Sequence, residues 1–171
     1  MARKVQPYAA GGTSGTTRLS AHVAAKVSRR RALSVLGGDG RGDWLGETVE
    51  TEGIGDRERH LVDLELRVNE QTPRITFRKA AYVDIGPARA PAMEPIEVGI
   101  SWRAAGLAPL FPVFSGTLAW ADGELELDGY YAPPGGELGV IADRLLMNVA
   151  ARGTARVLLE RIAEVMRAEP A

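Results

Sequence analysis

The chain has no cysteine. That excludes a disulfide, a thiolate metal site and a cysteine nucleophile, and it fits a reducing compartment. Histidine is scarce: only His22 and His60 occur, with no His-Glu-x-x-His or comparable spacing. No metal-ligand pattern follows from two isolated imidazoles, so no metal and no other cofactor is expected. An excess of either charge is missing too. Lys and Arg number 21 against 22 Asp and Glu, a net charge of −1. No global basic field exists for nucleic acid or for an anionic membrane. No apolar run reaches transmembrane length. Arg3 and Lys4 are not followed by an apolar segment, so the first residues do not read as a secretory signal. A cytoplasmic protein is expected.

At 171 residues the chain is long enough to bury a core without covalent staples. Residues 1–16 are rich in Gly, Ala, Ser and Thr and hold little to bury, which predicts a flexible tail ahead of one domain over 17–168. From Thr17 to Val27 the apolar residues Leu19, Ala21, Val23, Ala25 and Val27 alternate with Arg18, Ser20, His22 and Lys26, a period of two that predicts a half-buried strand. Ser28 is placed as the N-cap of one or two helical turns over 31–36. Glycines 37, 38, 40 and 42 then break the chain, and Asp43 is expected to cap a short helical piece holding Trp44 and Leu45. Residues 52–59 are polar and read as a loop.

Five strand patterns follow. They cover residues 60–68, 74–85, 96–105, 113–121 and 124–131, with a loop holding three prolines over 86–95 and a strong Asp122-Gly123 hairpin turn. Each strand carries one apolar and one polar face, so the sheet has one covered and one wet side. Pro133 and Pro134 stop the last strand, and Gly135 and Gly136 turn the chain. Beyond them Ile141, Leu145, Val149, Leu158, Ile162, Val165 and Met166 recur at helical spacing, without a proline before Pro170. Such a helix is roughly 40 Å long at 1.5 Å per residue. It is the only element long and apolar enough to cover the sheet.

The segment Leu127-Asp-Gly-Tyr-Tyr-Ala-Pro-Pro-Gly-Gly-Glu-Leu-Gly139, followed by Ala142-Asp-Arg-Leu-Leu146, is similar to the strand-to-helix junction of the helix-grip superfamily, the START, polyketide-cyclase-like and coenzyme-Q-binding-like proteins grouped as SRPBCC. Phe114-Ser-Gly-Thr-Leu118 and Trp120 suit its penultimate strand. The order of elements resembles that family over about residues 17–168, and the residues themselves over about 111–167. The resemblance implies an α+β fold in which a curved antiparallel sheet wraps around a long C-terminal helix, with short helices after the first strand. It also implies a cavity between sheet and helix that takes apolar small molecules. The glycine-rich 28–59 region departs from the family's usual two-helix pattern.

Candidate chemistry is sparse. Gly38-Asp-Gly-Arg-Gly42 lacks the preceding strand and the Gly-Lys-Ser/Thr of a phosphate loop, so it reads as a connector. Ser28-Arg-Arg-Arg31 reads as a solvated helix face, and Asp143 as an acid that complements the helix dipole. Both histidines are read as facing water. Lys79 takes the parity of Ile75, Phe77, Ala81 and Val83 on the covered side, where a lysine must snorkel, pair or be turned outward by a bulge. The candidate ligand-binding residues are Phe77, Lys79, Ile100, Trp102, Phe114, Trp120 and Leu145, and no catalytic residue is named. The preferred function is a binding module for a hydrophobic or amphipathic small molecule. The alternatives are a cyclase- or dehydratase-like enzyme on the same scaffold and an interaction protein whose core is filled.

Overall fold

A computed structural model describes residues 16–38, 41–67, 76–92, 95–106, 113–132 and 140–168; the side chains of 65–67, 76–78 and 140–150 are not part of that description. The expected tail therefore lies outside the described residues, apart from Thr16.

Seven strands form one antiparallel sheet: β1 (Thr17–Ala24), β2 (Thr48–Ile54), β3 (Arg57–Arg67), β4 (Thr76–Arg89), β5 (Ile96–Ala104), β6 (Val113–Ala121) and β7 (Glu124–Ala132). Their spatial order is β1-β7-β6-β5-β4-β3-β2. Between β1 and β2 run helix α1 (Arg29–Gly37) and a 3-10 turn (Asp43–Leu45), and α2 (Val140–Arg167) closes the chain. One antiparallel sheet, one short helical region after the first strand and one long terminal helix on the covered face make this a helix-grip fold.

Alternation produces the two faces. On β5, Ile96, Val98, Ile100 and Trp102 are buried, while Glu97 and Arg103 are exposed. The same inner face carries Val83 and Ile85 of β4, Phe114 and Leu118 of β6, and Leu125 and Leu127 of β7, all at 0 % exposure. Against them α2 lays Ala151, Ala155, Leu158, Leu159, Ile162, Ala163 and Met166, a buried stripe with the 3–4 residue spacing of one helix face. Of the seven residues that carry the stripe in the sequence, Leu158, Ile162 and Met166 are buried and Val165 is partly buried; the side chains of Ile141, Leu145 and Val149 fall outside those described.

Three arginines tie down the end of α2. Arg31 of α1 donates to the carbonyls of Val165 (2.8 Å), Met166 (3.1 Å) and Ala168 (2.8 Å), satisfying acceptors that a helix C-terminus leaves without partners. Arg161 donates to Leu45 O at 3.0 Å and Arg167 to Ala24 O at 2.7 Å. The basic Ser28–Arg31 cluster is thus a clamp as well as a helix start; Ser28 does cap α1, its hydroxyl accepting from Arg31 N–H at 3.2 Å.

Several expectations change. Residues 52–59 are not a loop: β2 and β3 form a hairpin turning at Gly55-Asp56. The alternation was hidden because β2 is an edge strand, exposed along nearly all its length and carrying Glu50 and Glu52, so it buries no apolar row. Strand β4 runs through Pro87 to Arg89, with a register shift between Ile85 and Ala88. A bulge is where a strand tolerates a residue without an N–H. Asp43 begins the 3-10 turn but does not cap it; Gly42 holds the cap position at φ 97°, a left-handed conformation suited to glycine.

Candidate functional site

Cross-strand register brings inner-face residues into rows. One row runs Tyr131, Phe114, Trp102, Val83, His60 from β7 to β3. The next row holds Gly129, Gly116, Ile100 and Ile85. The paired glycines are the floor under Phe114. A Cβ added at Gly116 or Gly129 would stand 2.7 or 2.8 Å from the tip of the Phe114 ring, closer than such atoms approach. Phe114 lies in that trough and stacks on Trp102, with centroids 4.1 Å apart and planes 19° from parallel. Ile100, Trp102, Phe114 and Tyr131 make an aromatic-rich wall, each at most 3 % exposed. It stands at the end of the sheet where β7 leads on to α2.

The candidate residues separate on this frame. Ile100, Trp102 and Phe114 share the wall. Trp120 is buried toward the other end of β6, where its indole N–H donates to Ala25 O at 3.0 Å and holds the exit of β1. The side chains of Phe77 and Leu145 lie outside those described. Lys79 has the inner parity, opposite Leu64, yet its side chain is exposed. No bulge turns it out, since the β3–β4 register is continuous from Thr76 to Ile85. It stands two residues beyond Ala81, where the described β4–β5 ladder ends, so it occupies the rim and not a dry core.

His60 corrects a further expectation. His22 is exposed as read from the sequence, but His60 is 5 % exposed. It shares its parity with buried Val62 and Leu64, a signal already present in the alternation of β3. Its Nδ1 stands 3.3 Å from Thr51 Oγ1 and its Nε2 3.6 Å from the Glu58 carboxylate. Gly42 lies over the ring so closely that a Cβ there would come within 2.6 Å of Cε1. Glu58 also accepts from Arg41 in a close ion pair, and Arg41 reaches the Gly86 carbonyl at 3.4 Å. The Arg41 hydrogen bond lowers the Glu58 pKa, while burial lowers that of His60 against the opposing pull of Glu58. The imidazole lies under Gly42 with these two influences opposed. This cluster joins residues distant in sequence, and no motif announces it.

The described surface also has a shallow cleft of about 170 Å³ on the outer face, lined by Glu50, Glu52, Arg59, Leu61 and Tyr82. Arg59 is held there by Asp84 at 2.7 and 2.9 Å, and Arg59 and Arg103 both approach the Tyr82 ring. Among the described residues no three His, Asp or Glu side chains gather as a metal site, and no helix is long and apolar enough to cross a membrane.

No family model and no curated protein matches the chain. Among solved structures it is similar to a conserved protein from Geobacillus kaustophilus, with 14 % identity and a TM-score of 0.48 over 88 % of this chain and 94 % of that one. It is also similar to Ara h 8.0201, with 13 % identity and a TM-score of 0.46 over 89 % of this chain and 98 % of that one. A third likeness is to DynU16, from the dynemicin biosynthetic locus, with 14 % identity and a TM-score of 0.40 over 84 % of this chain and 46 % of that one.

Proposed function

We propose that the protein binds an apolar or amphipathic small molecule between the inner face of the sheet and α2, at the end where β7 leads into the helix. The observation that carries this reading is the wall of Ile100, Trp102, Phe114 and Tyr131, apolar apart from the polar tips of Trp102 and Tyr131. Ligand sites for such molecules are mostly apolar and aromatic, with a few polar groups that set orientation. Apart from the Tyr131 phenol within it, the ionisable groups on the inner face of the described strands stand away from that wall or at its margin. Glu58 and His60 are engaged with Arg41 and Thr51, and Lys79 is at the rim. Among the described residues no carboxylate or imidazole stands in the wall itself, which favours a binding module over a cyclase- or dehydratase-like catalyst. Phe77 and Leu145 complete the proposed lining. Lys79, exposed at the rim, would meet an anionic head group.

The test is fluorescence titration with an anilinonaphthalene sulfonate, an anionic apolar dye, together with native mass spectrometry for co-purifying compounds. Binding is expected, with blue-shifted emission, and Trp102→Ala should alter it. Lys79→Met should weaken anionic ligands relative to neutral ones of similar shape. A folded protein that admits no apolar probe has a filled core, and the carrier reading fails.

A further inference from the structure

Among the described residues three buried side-chain nitrogens have no hydrogen-bond partner: Trp44 Nε1, His60 Nε2 and Trp102 Nε1. Such atoms are rare in folded proteins and each calls for a cause. Two of them belong to the 3-10 turn or lie beneath the glycine before it. The 3-10 turn that carries Trp44 is bound to α2 through Leu45 and Arg161, and Gly42 covers the His60 ring. Trp102 is different. It stands in the row that includes Tyr131, one residue before β7 finishes, and its ring is braced by Phe114 above the Gly116–Gly129 floor. The contrast with Trp120 is informative. There the same chain gives a buried indole N–H a carbonyl partner, Ala25 O. At Trp102 a phenylalanine would fill an apolar wall without bringing a donor that has to be satisfied.

We infer, on the carrier reading proposed above, that the ligand is oxygenated and that Trp102 selects for it by donating its indole N–H to a carbonyl, hydroxyl or ether oxygen. An indole is a donor only and cannot ionise, so it discriminates an acceptor oxygen from a hydrocarbon without requiring charge. Trp102 is 2 % exposed and its Nε1 is shut off from solvent. A ligand oxygen therefore reaches it only when the packing around the indole opens, and no water competes for the donor once the site closes. The ligand class that fits is an apolar ring system or chain with at least one acceptor oxygen. Lys79 at the rim would add a preference for a second, anionic end and is not needed for the first.

The experiment compares 2-acetylnaphthalene with 2-isopropenylnaphthalene, which share a shape and differ by an oxygen in place of a methylene. Dissociation constants are measured for the full chain and for Trp102→Phe, and the indole N–H resonances are followed in protein labelled with 15N-tryptophan. The preference for the ketone, taken as a ratio of affinities, should fall about 3- to 10-fold in Trp102→Phe, the size of one net hydrogen bond. The Trp102 indole proton should move downfield with the ketone and not with the alkene. If both probes bind, the ratio is unchanged and the indole proton responds alike to each, the donor role is refuted while the carrier reading stands. If neither probe binds the wild-type chain, the carrier reading fails and takes this inference with it. Should Trp102→Phe not fold, the wild-type resonance decides; Trp44→Phe and Trp120→Phe assign it by elimination.

Discussion

Replacing Phe114 by alanine tests the packing that the proposed site depends on. Phe114 is fully buried, stacked on Trp102, and seated above two glycines. Removing a buried phenylalanine ring costs about 3–5 kcal/mol when the surroundings relax only in part. Here relaxation is poor. Gly116 and Gly129 have no side chains to move into the gap, and Trp102 loses its stacking partner, a term of about 0.5–1.5 kcal/mol within that total. The cost should therefore fall in the upper part of the range. For a chain of this size about 2–4 °C is lost per kcal/mol, so the melting temperature should drop by about 6–20 °C. Urea unfolding with matched m-values measures the loss directly. A double-mutant cycle with Trp102→Ala should return a coupling of about 0.5–1.5 kcal/mol. A loss below about 1 kcal/mol would mean that the trough closes over the missing ring, and a coupling near zero would mean that the stack adds nothing; either result defeats the argument from the glycine floor.

The pH dependence should separate His60 from Glu58. Burial lowers the His60 pKa, so the unfolded chain binds the proton more readily; the stabilisation is complete above the unfolded value of about 6.5 and is lost as pH falls through the lower folded value. The groups facing His60 are Glu58 from its own strand and Arg41 and Asp43 from either side of Gly42. Glu58, lowered by Arg41, acts in a separate window: its contribution is present above the unfolded carboxylate range and is lost as pH falls through its depressed value. Unfolding free energies between pH 7.5 and 5 should decline in wild type and flatten in His60→Gln; parallel curves would remove His60 from the account. Arg31→Met should cost about 1–3 kcal/mol, because Arg31 makes charge-assisted hydrogen bonds to three carbonyls at the end of α2. Hydrogen exchange should rise selectively in the last turns of α2, and unchanged protection there would show that Arg167 and Arg161 suffice.

The sequence by itself determined the architecture. A period of two along β1, β3, β5, β6 and β7, followed by one long helical stripe, leaves a one-sided sheet that only α2 can cover, and local patterning is enough to read that. Ser28, the Asp122-Gly123 turn and the apolar wall at Ile100, Trp102 and Phe114 were legible for the same reason: each depends on neighbours a few residues away. Strand β2 was not legible, because an exposed edge strand buries no alternating row and is held by its pairing with β3. Nor was the exposure of Lys79, which parity places on the covered face. Parity says which side a residue takes, whereas burial depends on how far the neighbouring strands extend beside it. The tertiary structure alone decided which buried polar groups find partners. Trp120 reaches Ala25 O, Arg31 reaches the end of α2 and Glu58 reaches Arg41, across separations of 95, 134–137 and 17 residues. Among the described residues the Trp102 indole N–H reaches no acceptor. A hydrogen bond is satisfied by geometry within about 3 Å, and that geometry exists only once strands and helices distant in sequence have been packed side by side.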